Sequence, residues 1–177
     1  MPLVFAFGSN LNRQQMKRRC PTAVKVGPLY LPNGRLTFRS VADVTVDPDG
    51  KIPGGVWRIS SADEVALDNF EGVGRAYRKK NIKLSIKGGA SERCVVYQML
   101  HRDGVAPPSQ EYFDLILEGY KFFGLDTAPL YEALSDSWAN KNMTRDIRRR
   151  RHNKNHPPLA SRVAAGRSRP AIKSQTG

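Results

Sequence analysis

A chain of 177 residues is long enough to bury a substantial core in one domain, and its two cysteines, Cys20 and Cys94, are too few for a disulfide framework and fit no spaced metal site. They read as buried or partly buried thiols in a reducing compartment, with the cytoplasm as the expected location; no apolar run approaches membrane-spanning length and no export signal opens the chain. The net charge of +13 nominates nucleic acid or an acidic surface as partner, but from residue 139 onward eleven Lys and Arg face the single Asp146, so only +3 is left for the body.

The body opens with the strand "LVFAF", which runs straight into Gly8, Ser9 and Asn10. A short helix over residues 11–18 follows, for which Asn10 is the expected N-cap. Strand-like runs at 23–29, 35–39, 42–46 and 56–59 are separated by the turn signals "PNG", "DPDG" and "PGG", a barrel-like rhythm. "SADEVALDNF" reads as a helix opened by a capping box, Ser61 with Glu64, and stopped by Gly72 and Gly74. "NIKLSIK" alternates Ile82, Leu84 and Ile86 with polar neighbours, and "RCVVYQML" is apolar enough for burial on both faces; "GGASE" joins them as a hairpin.

After "APPS" the pattern turns helical. Tyr112, Ile116, Tyr120 and Phe123 form one stripe ended by Gly124, and Leu130, Leu134 and Trp138 repeat the spacing after Pro129. Strands without strict βαβ alternation favour an α+β domain over residues 1–138. The remainder, residues 139–177, has high charge and few apolar residues, and composition predicts a largely disordered basic tail, able to contact polyanions without sequence preference.

Catalytic groups are scarce. His101 is the body's single imidazole, which argues against a Ser-His-Asp triad, and His152 and His156 sit among Asn and Pro in the tail, a poor metal site. Neither "GGVW" nor "EGVG" has the spacing of a phosphate-binding loop. Two features remain, each with two readings. Glu71 follows the apolar end of its helix beside two glycines: it is either a solvated glutamate before a glycine cap or a proton shuttle whose pKa the helix C-terminus raises. Gly8-Ser9-Asn10 is either a plain strand-to-helix turn or a cradle whose uncovered N–H groups hold a carboxylate or a developing oxyanion.

Taken together, "FAFGSN", "GGVWRIS", "LDNFEGV", "YRKKNIKL", "VVYQM" and "PPSQEY" occur in the order that resembles the γ-glutamylcyclotransferase-like, or AIG2-like, family, over roughly residues 3–138. The resemblance implies a small mixed β-barrel flanked by helices, with one pocket and no metal or cofactor. It implies release of 5-oxoproline from a small γ-glutamyl substrate, the substrate's own α-amine attacking its γ-carbonyl. By position, Glu71 matches the family's acid/base and Phe7, Gly8, Ser9, Asn10 and Leu11 its substrate-binding loop, while Tyr77 and Tyr112 match tyrosines near the pocket. Phe7 stands where the family's loop has tyrosine, which removes one hydroxyl from the site. The competing expectation is a binding module of the same fold, without turnover, that uses its basic tail on nucleic acid or an acidic protein. Sequence leaves the leaving amine and the oligomeric state open.

Overall fold

The structure is a computed structural model and describes residues 1–85, 89, 91–100 and 104–141. Residues 88 and 90 of the "GGASE" turn lie outside them, as do Ile86, His101, His152, His156 and the tail from residue 142 onward.

Strand β1 (Leu3–Ala6) is buried on both faces, which is why its sequence shows no alternation. It lies at the centre of a five-stranded sheet, antiparallel to β3 (Ala42–Arg58) and parallel to β5 (Ser91–Met99). Outside these lie β2 (Val24–Phe38), paired with β3, and β4 (Tyr77–Ser85), paired with β5, giving the order β2-β3-β1-β5-β4. The β4–β5 pairing is the hairpin expected from sequence.

Two expectations are corrected here. The four short runs between residues 23 and 59 are two long strands, because "PNG" and "DPDG" meet in a bulge rather than ending strands and "PGG" at 53–55 pairs regularly within β3. Gly34 pairs with Val46 and Pro32 with Lys51, so "DPDG" at 47–50 is extra chain opposite Asn33, which takes a positive φ of 63°. The α+β class holds, but the barrel does not close. Among the described residues β2 and β4 remain the two edges of an open sheet, and the edge strand β4 carries Arg78, Lys80 and Lys83, charges that disfavour edge pairing.

The helices begin one or two residues from their expected caps. Asn12, not Asn10, caps α1 (Arg13–Arg19), its side chain accepting from the N–H groups of Gln14 and Gln15 at 3.0 and 3.1 Å. Ser60, not Ser61, caps α2 (Ser61–Glu71), and Glu64 pairs with Lys79 and Arg93 instead of closing a capping box. Helix α3 (Gln110–Phe123) buries Phe113, Ile116, Tyr120 and Phe123 and stops at Gly124. Helix α4 (Ala128–Ala139) buries Leu130, Ala133 and Ser137, which leaves Trp138 more than half exposed beneath Lys141. The boundary read from composition at residue 138 therefore falls inside α4.

Candidate active site

The chain leaves β1 through Phe7 and Gly8 into a single 3-10 turn, Ser9–Leu11, and then into α1. Several contacts fix this loop. The Trp57 indole N–H donates to the Asn10 carbonyl at 2.8 Å, and the Asn12 amide donates to Glu118 Oε2 at 2.8 Å and to the Leu115 carbonyl at 3.2 Å. Behind the loop, α3 presents Gly119, where a Cβ would stand 2.5 Å from that of Leu11. Only glycine there lets the helix backbone seat against the turn.

Helix α2 brings Glu71 to the same place. Its last residue is Glu71 itself, and Gly72 ends it in the left-handed conformation, φ 63°, with its N–H on the Asn69 and Asp68 carbonyls. The Asn10 amide donates to Glu71 Oε1 at 2.7 Å. The orientation of that amide is set from its other side, where Arg19 donates to Asn10 Oδ1 at 2.6 Å and to Ser9 Oγ at 2.9 Å. Arg19 in turn lies 3.7 Å over the Phe70 ring and donates to Gln15 Oε1. The result is a relay from guanidinium to amide to carboxylate, in which the Asn10 amide can present only its NH₂ to Glu71.

Around Glu71 lies a cavity of about 40 Å³ lined by the loop residues Phe7, Gly8, Ser9 and Asn10, by Tyr77, Tyr97 and Tyr112, and by Phe5, Ala6 and Ala42. Burial pushes the Glu71 carboxyl above its ordinary value, against the opposing pull of the Asn10 hydrogen bond and the Arg19 charge. The rise has the direction expected from sequence but its main cause is burial. The Tyr112 hydroxyl accepts from the Ala42 N–H at 3.2 Å and from the Ser9 backbone, so its own proton is left to donate into the cavity. Burial raises the pKa of Tyr112, as it does for Tyr77 and Tyr97, so all three are neutral donors. Tyr97 donates to Asp68 Oδ1 at 2.6 Å, whereas the Tyr77 hydroxyl has no hydrogen-bond partner among the described residues.

Seven of the eight residues singled out by sequence thus meet in one cavity. The eighth, Leu11, does not: it is fully buried against Gly119 and supports the loop from behind. At Gly8 an added Cβ would lie 3.3 Å from the Ala42 Cβ and 3.4 Å from the Tyr112 hydroxyl, so the missing side chain keeps that hydroxyl uncovered. Phe7 is buried, its ring 6.4 Å from that of Phe5. Sequence reading missed Arg19, Trp57 and Tyr97. Their roles depend on contacts across the fold, and Arg19 reads in sequence as one more cation in "KRR". Both cysteines are buried and their thiols are pushed up to about 12, as inert core thiols should be.

An open five-stranded sheet thus carries a small pocket at the end of its central strand, holding the half-buried Glu71 carboxyl among neutral donors. The model of the gamma-glutamyl cyclotransferase, AIG2-like family matches residues 4–115, and the chain belongs to that family. It is 32% identical over 136 residues to a mouse gamma-glutamylcyclotransferase, covering 70% of this chain and 72% of the relative. A bovine protein of the same name is 30% identical over the same length, with the same coverage. Among solved structures, a gamma-glutamyl cyclotransferase superposes with a TM-score of 0.64 at 26% identity, covering 74% of this chain and 85% of that one. YkqA from Bacillus subtilis shares the fold, with a TM-score of 0.63 at 21% identity over 77% of this chain and 54% of its own.

Proposed function

We propose that the protein is a γ-glutamylcyclotransferase that releases 5-oxoproline from a γ-glutamyl amide, with Glu71 as general acid and base. The observation that carries this reading is the half-buried Glu71 carboxyl, raised in pKa by that burial, in a cavity bordered by the Gly8–Asn10 loop. A raised pKa suits a group that must take and return a proton near neutral pH.

In the reaction, the substrate's α-nitrogen forms a bond to its γ-carbonyl carbon, and the γ-amide C–N bond breaks. The α-ammonium gives up two protons in becoming the lactam N–H, and both end on the leaving amine. Glu71 removes the first to free the nucleophile, then returns it to the leaving nitrogen as the tetrahedral intermediate collapses. The Asn10 amide keeps Oε1 occupied at 2.7 Å, which leaves Oε2 for the substrate. With the Ser9 N–H on the Tyr112 hydroxyl and the Leu11 and Asn12 N–H groups on the Gly8 and Ser9 carbonyls, the Gly8 and Asn10 N–H groups and the Tyr112 hydroxyl are the donors offered to the developing oxyanion and the substrate carboxylate. Holding the glutamyl chain folded supplies the rest of the rate, since a positioned intramolecular nucleophile has an effective molarity of up to about 10⁵–10⁸ M.

The test is incubation of the full-length protein with γ-glutamyl-alanine, γ-glutamyl-methylamide, ε-(γ-glutamyl)-lysine and glutathione, reading 5-oxoproline by mass spectrometry. Release from at least one, with stoichiometric free amine, supports the reading. Binding of these compounds with no release from any of them would favour the binding module.

A further inference from the structure

Residues 1–42 hold seven Lys and Arg and no Asp or Glu, and the fold gathers three of those cations around one recess. Arg13 and Lys17 stand one turn apart on the same face of α1, and Lys25 lies opposite Trp57 in the β2–β3 ladder. With Pro21, Ala23 and Phe122 they line a cavity of about 480 Å³ that shares no residue with the one around Glu71. Trp57 joins the two regions, since it lines the recess while its indole N–H holds the Asn10 carbonyl.

The recess is basic and its cations are held in place. The Phe122 ring stacks on Trp57 at 5.7 Å, and Lys25 Nζ and the Arg13 guanidinium lie 4.4 and 5.9 Å from the Phe122 centroid. Those two charges are therefore within about 10 Å of each other, the Debye length at 0.1 M salt, and salt does not fully screen their repulsion. No acidic side chain lines the recess, and among the described residues none of the three cations is paired with a carboxylate. Lys25 donates one proton to the Phe122 carbonyl, which leaves two, and the Arg13 and Lys17 side chains keep all their donors.

We propose that this recess binds an organic phosphate of nucleotide size, with its phosphates on Arg13, Lys17 and Lys25 and its organic part against Pro21, Ala23 and Trp57. Charge selects phosphate over carboxylate. A carboxylate offsets one cation of the three, whereas a phosphate ester carries about −1.5 to −2 near neutral pH and a diphosphate carries more. The Arg13 fork and the two ammonium groups are the usual donors to phosphate oxygens. Volume selects an organic ester over the bare ion: the cavity falls in the range of roughly 300–1,000 Å³ that encloses a small organic ligand, far more than a phosphate fills. Charge also decides against the protein's own tail, since residues 139–177 carry eleven Lys and Arg against one Asp. The site goes beyond the cyclotransferase reading and stands whether or not Glu71 turns over a γ-glutamyl amide.

Trp57 reports on the recess directly. Trp138→Phe removes the chain's other tryptophan, an exposed one, and ADP, pyrophosphate and adenosine are titrated into that full-length protein at about 0.1 M salt while Trp57 emission is followed. The expected result is saturable binding of ADP with a Kd below about 1 mM. Pyrophosphate, which lacks the organic part, and adenosine, which lacks the charge, should each bind about tenfold more weakly. In the double variant Arg13→Gln, Lys17→Gln, both at exposed positions, ADP affinity should fall at least about tenfold at an unchanged melting temperature. Calorimetric titration with ADP, which does not depend on the emission of Trp57, should show the same loss. ADP heat that the double variant leaves unchanged would place the binding on the basic tail and overturn the proposal, as would the absence of ADP binding by both methods. Equal affinity for pyrophosphate and ADP would overturn the organic ligand.

Discussion

Replacing Arg19 by methionine keeps a chain of similar reach over Phe70 but removes the charge and the donors that hold Asn10. Hydrogen bonds of 2.6 and 2.7 Å with the Asn10 amide between them place the guanidinium and the Glu71 carboxylate on the order of 7 Å apart. At an effective dielectric of about 20, unit charges at that separation attract by about 2 kcal/mol, and solvent screening of two half-buried groups brings this nearer the 1.4 kcal/mol that equals one pH unit. Without the charge the carboxylate is harder to form, so the Glu71 pKa rises further. Release of the Asn10 amide from its second partner acts in the same direction. The assay is kcat/KM for 5-oxoproline release between pH 5 and 9. The acid limb should move up by about one pH unit, with activity recovering toward the alkaline side, and Arg19→Lys should restore most of the shift. Equal loss at every pH, with the acid limb unmoved, would refute the relay and make Arg19 a support of the loop alone.

Other outcomes follow from the same geometry. Tyr112→Phe strips the acceptor from the Ala42 and Ser9 N–H groups, and a buried donor left unpaired costs about 1–3 kcal/mol, so chemical denaturation should show a loss of that size. Because burial raises the folded pKa of Glu71 above its unfolded value, the stability it contributes is full below the unfolded value and is lost as pH rises through the folded one. Glu71→Gln should therefore match wild type in melting temperature near pH 4 and exceed it near pH 8; an unchanging difference across that range would contradict the burial argument. Truncation after Lys141 should leave turnover of a small γ-glutamyl amide within about twofold and abolish salt-sensitive retention on heparin, since eleven Lys and Arg lie from residue 139 onward and all but Lys141 are removed.

How much of this was legible in the sequence depends on the range of the interactions involved. Glu71 and the Gly8–Asn10 loop stood out because helix ends, glycines and small polar residues have local signatures, and family resemblance tied the two halves together. Strand lengths did not, because "PNG" and "DPDG" have the same composition whether they end a strand or bulge it, and pairing of Pro32 with Lys51 and Gly34 with Val46 decides between them. Asn10 and Asn12 are equally good caps in sequence. The Asn12 side chain took that role, which left the Asn10 side chain for Glu71. Leu11 was placed in the pocket by its neighbours in the chain, but Gly119, more than a hundred residues away, turns it into a packing contact. Arg19 needed Phe70, Ser9 and Asn10 in place before its role was visible.

The most direct test of Glu71 as the proton shuttle is single-turnover cyclisation by the Glu71→Gln protein, measured beside substrate binding in the same preparation. Gln retains the acceptor for the Asn10 amide, so the loop and the affinity for a γ-glutamyl amide should stay within about threefold of wild type, while 5-oxoproline release should fall by about 10²-fold or more, the usual contribution of general acid–base catalysis. Release at a near wild-type rate with binding intact would contradict the assignment.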